Sequence, residues 1–363
     1  MASAMPSSLS VSTLLKGLVE IPSRSREESR AVGWLVDRMN EYGFQAGVDD
    51  AGNAVGSLGN GSREIMLLGH IDTVPGDIPV RVEDGVLFGR GAVDAKGPLA
   101  TFVAGALKAE IPDDIKLTVV GAVGEESYGS PGATWLRDNH PAPEAVIIGE
   151  PSGWDGVVLG YKGSISLSAR FECDLSHSAG PEPTAAETIT GFWVVVLDWL
   201  REINGDTEPG FTSLDGMLQK LDSGSDGLTE WASIGAAFRL PPEIVSAQVI
   251  GAVEGIARDF DVEVTWSFNA EAYRCERRSP LVAPFLSAIR SQGAKPRTKV
   301  KTGTSDMNVV GPTWGCPMLA YGPGDSAFDH TPNEQIELAE VERAVEILAE
   351  ALGRYAERVS SLS

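Results

Sequence analysis

Several apolar runs along this chain end in a polar residue at a comparable point. Ile65-Met66-Leu67-Leu68 is continuous, the pattern of a strand buried on both faces, and it closes on Gly69 and then His70-Ile71-Asp72. Residues 117–123 run through Gly124 into Glu125-Glu126, and residues 145–149 run into Glu150. Residues 317–321 lead, past a Gly/Pro loop, to Asp329-His330. Between the first two runs lies Gly89-Arg90-Gly91-Ala92-Val93-Asp94, ahead of a predicted helix over 97–110 with Pro98 in its first turn, where proline is tolerated. In open α/β sheets chemistry collects outside the carboxyl ends of the strands. One acid there is ordinary; several, with two of the chain's four histidines, predict a single polar site above one sheet edge.

The remaining pattern supplies the frame. Helical periodicity covers 9–21 and 27–43, the second stopped at Tyr42-Gly43. Short strands are predicted at 44–48 and 53–58, and a hairpin over 80–88 closing at Glu83-Asp84-Gly85. Strand and helix then alternate to Glu150, which predicts an α/β fold with a mostly parallel sheet and helices on both faces. After Tyr161-Lys162-Gly163 the grammar changes. Strands at 164–173, 211–221, 229–240 and 261–270 enclose helices at 184–203 and 242–259, the β-α-β-β-α-β order of a ferredoxin-like module. The expected organisation is a catalytic domain, 1–163 and 272–363, interrupted by an inserted α+β domain at 164–271. The chain then returns with a helix at 281–292, a loop at 301–306, a strand to Tyr321 and a helix at 339–358.

Composition narrows the classes. The 363 residues suffice for two domains and a sizeable core. A formal net charge of -22 argues against a nucleic-acid partner, which calls for a basic footprint. Cys173, Cys275 and Cys316 are scattered, with no C-x-x-C pair, so neither a thiolate zinc site nor a disulfide framework is expected, and a reducing cytoplasm fits. The first twenty residues lack the basic segment and apolar core of a signal peptide. The apolar stretch 192–200 is too short to span a membrane and contains Asp198.

The candidate metal ligands are His70, Asp94, Glu126, Glu150 and His330. Each alone has a plainer explanation: Asp94 as a helix cap, Glu125-Glu126 as a solvated pair, His330 as a surface side chain. Together, imidazole and carboxylate suit zinc, and also cobalt or manganese. Five ligands are too many for one tetrahedral ion with an open position, and they fit two ions sharing a bridging carboxylate. Asp72 is expected to orient His70 through its second ring nitrogen. Glu125, beside Glu126, is expected to be the general base.

These segments resemble a known family. GHIDTVP at 69–75, GRGAVDAKGP at 89–98, GEES at 124–127, GEPS at 149–152 and DHTPNE at 329–334 are similar, in order and across the whole chain, to the dinuclear-zinc amidohydrolases and exopeptidases of the ArgE/DapE/aminoacylase/carboxypeptidase G group. The resemblance implies that His70 and Glu150 bind one ion and Glu126 and His330 the other, with Asp94 between them. The ions would be zinc, or cobalt. It implies a catalytic role for Asp72 and a lid and dimerisation role for the inserted domain. His177, in Leu175-Ser176-His177-Ser178, would reach a partner subunit's site and stabilise an oxyanion. The asparagine-alanine pair usual in the family after that histidine is missing. Arg274 and the loop Gly303-Thr304-Ser305 resemble substrate-carboxylate elements.

LGYKGSI and KTGTSDMN look most like the LysK branch, whose enzymes release lysine or ornithine from the terminal glutamate of an amino-group carrier protein, LysW. Against that reading stand a deacylase of N-acetyl-ornithine or N-succinyl-diaminopimelate, a related metallodipeptidase or carboxypeptidase, and a non-catalytic binding protein. No ligand or base of the motif set is missing, which disfavours the last. The carrier of that branch is acidic, as this chain is, so the basic run Lys295, Arg297, Lys299 and Lys301 is expected to dock it.

Overall fold

The computed structural model describes residues 10–177 and 179–361, so residue 9 of the first expected helix and Ser178 of the His177 segment lie outside the described residues. The chain divides into two compact units: Met1–Gly160 with Cys275–Val300 and Ser305–Ser363, and Tyr161–Arg274 with Lys301–Thr304.

The first unit is built on one sheet. Its strands lie in the order Gln45–Val48, Ala54–Leu58, Ile115–Ala122, Arg63–His70, Ala145–Gly149, Met318–Ala320, Gly156–Tyr161. From Ile115–Ala122 to Met318–Ala320 the neighbours are parallel, as the alternating pattern predicts. The flanking pairs are antiparallel. Ile65, Met66, Leu67 and Leu68 are fully buried because both sheet faces are covered, so the strand reads as an unbroken apolar run. Helix Lys96–Lys108 contributes Leu99, Phe102 and Val103 to that cover. Helix Leu338–Ser360 contributes Leu348, Leu352 and Tyr355. Gly69 and Gly149 face each other across two parallel strands, and a Cβ on Gly149 would stand 2.9 Å from both Gly69 Cα and the Phe102 ring. Glycine there lets the two strand ends close over the helix.

The second unit has its own core. Its strands run Asp215–Ser225, Thr229–Leu240, Gly163–Asp174, Glu263–Ala270, all neighbours antiparallel. Helices Ala185–Asn204 and Ser246–Asp259 pack on this sheet through Phe192, Trp193, Val249 and Val253, in the expected ferredoxin-like order. Thr184 and Glu187 form a reciprocal capping box at the first helix. Strand Asp215–Ser225 is an edge, exposed along its length, with Met217, Leu218 and Leu221 on the surface.

Four elements depart from expectation. The helix expected from 242 begins at Ser246, because the two prolines first make a turn that closes from Ile244 N–H to the Pro241 carbonyl. The strand expected at 211–221 lies at Asp215–Ser225, an exposed edge with no alternation to mark its register. Helix Asp306–Trp314 was not signalled, since Gly311 and Pro312 interrupt it. The basic run includes a strand, Arg297–Lys301.

Lys162 ties the second unit's first strand to the loop that precedes its edge strand. Its side chain is fully buried, and Nζ donates to the carbonyls of Gly210 (2.9 Å) and Ser213 (2.5 Å) and pairs with Asp215 Oδ2 at 2.5 Å. Lys162→Met leaves these acceptors without that donor, so denaturant unfolding should show a loss of about 1–3 kcal/mol. An unchanged stability would remove this anchoring role.

Candidate metal centre

Parallel pairing brings the acid- and histidine-bearing strand ends together. Gly69 is in register with both Gly121 and Gly149, so His70, Val123–Gly124 and Glu150 leave the sheet at one level. The loop after Gly124 then carries Glu125 and Glu126, and Ser130, at φ 38°, starts helix Pro131–Asn139. Asp94 comes from the turn before helix Lys96–Lys108. His330 follows a short 3-10 turn, Ser326–Phe328, and takes a left-handed backbone at φ 59°, a conformation tolerated by histidine more than by most residues.

Asp94 sits at the centre. Its Oδ1 lies 3.2 Å from His70 Nε2 and its Oδ2 lies 3.0 Å from His330 Nε2. His330 Nε2 also meets Glu126 Oε1 at 2.7 Å. Each oxygen of this one carboxylate therefore faces a different imidazole. Donor atoms of His70, Asp94 and Glu150 lie within 4.8 Å of one another, and so do those of Asp94, Glu126 and His330. Glu125 joins a third such group with His70 and Glu126.

Asp72 has no solvent exposure, and its carboxylate is held by three donors. Ser25 Oγ donates to Oδ2 at 2.7 Å, Glu126 N–H to Oδ2 at 3.0 Å and Glu125 N–H to Oδ1 at 3.1 Å. His70 Nδ1 is 3.1 Å from the Asp72 main-chain oxygen and 3.4 Å from Oδ1. The expected aspartate–histidine pairing is thus present, made to backbone and side chain together. Asp72 also fixes the main chain of Glu125 and Glu126.

The titration behaviour follows from crowding buried acids. Burial, then the charges of Glu150, Asp306 and Glu126, push Glu125 well above the carboxylate range against the pull of His70. Glu126 is raised by burial and Asp94, against its bond to His330. Asp94 is lowered: burial opposes this, but the hydrogen bonds from His330 and His70 outweigh it. Burial lowers His70, yet its bonds to Asp72 and Asp94 and the charge of Glu125 carry it well above its ordinary value. Bonds to Asp94 and Glu126 lift His330 to about 10. Burial pulls Lys96 down to about 7, so it adds little fixed positive charge. Asp306, at the end of the expected carboxylate loop, is buried with Oδ1 unpartnered and is pushed up by burial to about 7. An excess of carboxylates over cations, drawn around two imidazoles, fits divalent metal ions in donor type and in charge.

The other expected site residues are accounted for separately. His177, Arg274, Gly303 and Thr304 belong to the second unit. There His177 is exposed and its Nδ1 accepts from Ala179 N–H at 3.1 Å. Arg274 is exposed, 5.8 Å from the Phe211 ring centre, and Thr304 Oγ1 lies 3.3 Å from Arg239 Nη1. Ser305 belongs to the first unit, where its hydroxyl accepts from Met307 N–H as the cap of helix Asp306–Trp314. In the basic run, Arg297 pairs with Asp155 and Lys299 Nζ donates to the Ser152 carbonyl at 2.6 Å, so two of the four charges are engaged within the chain. Among the described residues no helix is long and apolar enough to cross a membrane.

Comparison with known proteins places the chain in a family. Residues 66–354 match the model of peptidase family M20/M25/M40. A Deinococcus radiodurans protein named LysW-lysine hydrolase is 45% identical over 357 residues, spanning 96% of this chain and 98% of that one. A Thermococcus kodakarensis protein named putative LysW-lysine/LysW-ornithine hydrolase is 40% identical, spanning 93% and 90%. Among solved structures, a Staphylococcus aureus tripeptidase superposes with a TM-score of 0.80 at 19% identity, over 98% of this chain and all of that one. A Sulfolobus solfataricus M20 metallo-carboxypeptidase gives 0.78 at 16%, over 96% and 99%. The fold and its cluster define a hydrolase of amide bonds whose family works with divalent metal ions. The chain belongs to peptidase family M20/M25/M40.

Metal ligation needs a neutral imidazole, whereas His330 in the ion-free chain keeps its proton up to about pH 10. Ion uptake near neutral pH should therefore expel protons, and the apparent affinity should fall as the pH is lowered. Calorimetric titration with Zn2+ in buffers of different ionisation enthalpy measures that release; His330→Ala should reduce it. Uptake with no proton release would contradict these contacts.

Proposed function

We propose that this chain hydrolyses the amide joining the terminal glutamate of an amino-group carrier protein to the α-amino group of lysine or ornithine, with two divalent ions, zinc or cobalt, in its site. The observation that carries the metal reading is the division of Asp94 between His70 and His330. The names of relatives at 45% and 40% identity over most of the chain support the substrate.

His70 and Glu150 would hold one ion, Glu126 and His330 the other, and Asp94 would touch both. Such ions polarise a carbonyl and make a water acidic enough to attack at neutral pH. Glu125 is the general base: burial among acids makes it avid for a proton, which it takes from the attacking water and returns to the leaving amine. Asp72 holds the base in position through the Glu125 main-chain N–H and steadies His70. His177 of a partner subunit would donate to the oxyanion, and Arg274 with Gly303, Thr304 and Ser305 would bind the amino acid's carboxylate. The second copy would pair along the exposed strand Asp215–Ser225, an unprotected edge carrying Met217 and Leu221.

Glu125→Ala should retain both ions by metal analysis and lower kcat by about 10²–10⁴. Loss of an ion instead would make Glu125 a ligand. The substrate is tested by comparing hydrolysis of carrier-linked lysine or ornithine with that of N-acetyl-ornithine and N-succinyl-diaminopimelate. A large kcat/KM preference for the carrier is expected; preference for a small acyl amino acid would move the chain to the deacylase alternative. Reversing Lys295 and Lys301 should raise KM for the carrier-linked substrate far more than for a small acyl-lysine; equal effects would remove the docking role.

A further inference from the structure

Arg90 and Glu334 lie inside two of the motif segments, and neither has a role in the site so far described. Glu334 is buried, its side chain 1% exposed, and Arg90 is partly buried, its side chain 13% exposed. Arg90 Nη1 meets Glu334 Oε2 at 2.7 Å. The other carboxylate oxygen, Oε1, accepts from two consecutive main-chain amides, Val93 at 3.0 Å and Asp94 at 3.2 Å. Arg90 Nε donates to the Gly76 carbonyl at 3.0 Å. One charge pair thus joins three loops: the one after His70, the one that carries Asp94, and the one that carries His330.

The placement follows from the smallest sheet. Strand Gln335–Glu337 pairs antiparallel with Val86–Phe88, with Gln335 opposite Phe88. Just beyond the pair, Gly89 N–H donates to the Glu334 carbonyl at 3.2 Å. The two ligand loops therefore leave this sheet side by side, with Gly89 and Glu334 bonded at their base. Gly91, at φ 83°, lets the intervening turn pass Thr73, whose Cγ2 would lie 2.7 Å from any Cβ there.

We infer that Glu334, paired with Arg90, is a positioning residue for Asp94: it holds the main chain of the shared carboxylate at a set distance from His70 and His330 and so sets the spacing at which two ions bind. The inference rests on the metal-centre reading above and adds residues to it. Groups behind the ligands that fix their orientation commonly govern metal affinity by about 10–100-fold.

The test uses the full-length chain, with Co2+ as the probe. Affinity and stoichiometry are measured by calorimetry, the visible absorption of the Co2+-loaded protein is recorded, and thermal unfolding is followed without metal. E334A should bind Co2+ about 10–100-fold more weakly and with an altered absorption band. E334Q, which keeps an oxygen to accept from the two amides, should restore part of both. A folded E334A with wild-type affinity, stoichiometry and spectrum would overturn the inference whatever its unfolding temperature, leaving a pair that only stabilises the fold. Should E334A fail to fold, R90M decides: weakened Co2+ binding supports the inference and wild-type binding overturns it. A wild-type chain that binds no divalent ion would sink the metal reading itself and this inference with it, an outcome distinct from intact binding in every variant.

Discussion

Asp72 carries a charge in a place closed to solvent, and such a charge persists only where donors surround it. Its three donors come from distant parts of the chain: the Ser25 hydroxyl and the amides of Glu125 and Glu126. The same residue touches His70 from the other side. The need to satisfy one buried carboxylate thereby joins the segment before the second helix, the end of the central strand and the loop of the proposed base. Around it the acids are close enough that ionising one raises the next, and cations relieve that repulsion.

Order in the site is achieved largely through main-chain amides. Asp72 grips Glu125 and Glu126 by their N–H groups, and Glu334 grips Asp94 and Val93 in the same way. These orienting bonds are made to the backbone, which leaves the carboxylate oxygens of Asp94 and Glu126 to meet the imidazoles of His70 and His330.

Much of this was legible in the sequence. His70, Glu126 and Glu150 each end or follow an apolar run closed by glycine, and parallel pairing puts such ends at one level. The ferredoxin-like order could be read because its buried strands alternate or run apolar. Asp215–Ser225 slipped by four residues because an edge exposed along its length has no burial period to read. Helix Asp306–Trp314 was hidden by Gly311 and Pro312, which composition reads as breakers, although Ser305 and Asn308 cap it. Ser25, Arg90 and Glu334 could not be assigned roles, since each acts on a residue far away in the chain and local pattern has no view of such pairs.

Strand Met318–Ala320 lies between Ala145–Gly149 and Gly156–Tyr161, though the chain reaches it only after the whole second unit has been made. On a ribosome, the first half of the sheet emerges with a slot and two open strand edges, while the inserted unit, with a core of its own, is free to fold. Filling the slot closes a very long loop, which makes it a slow step and leaves sticky edges in the meantime. The nascent chain must therefore wait, shielded or at risk of association, for its last quarter. That last quarter also brings His330, so the contact of Asp94 with both histidines cannot form before the polypeptide is nearly complete.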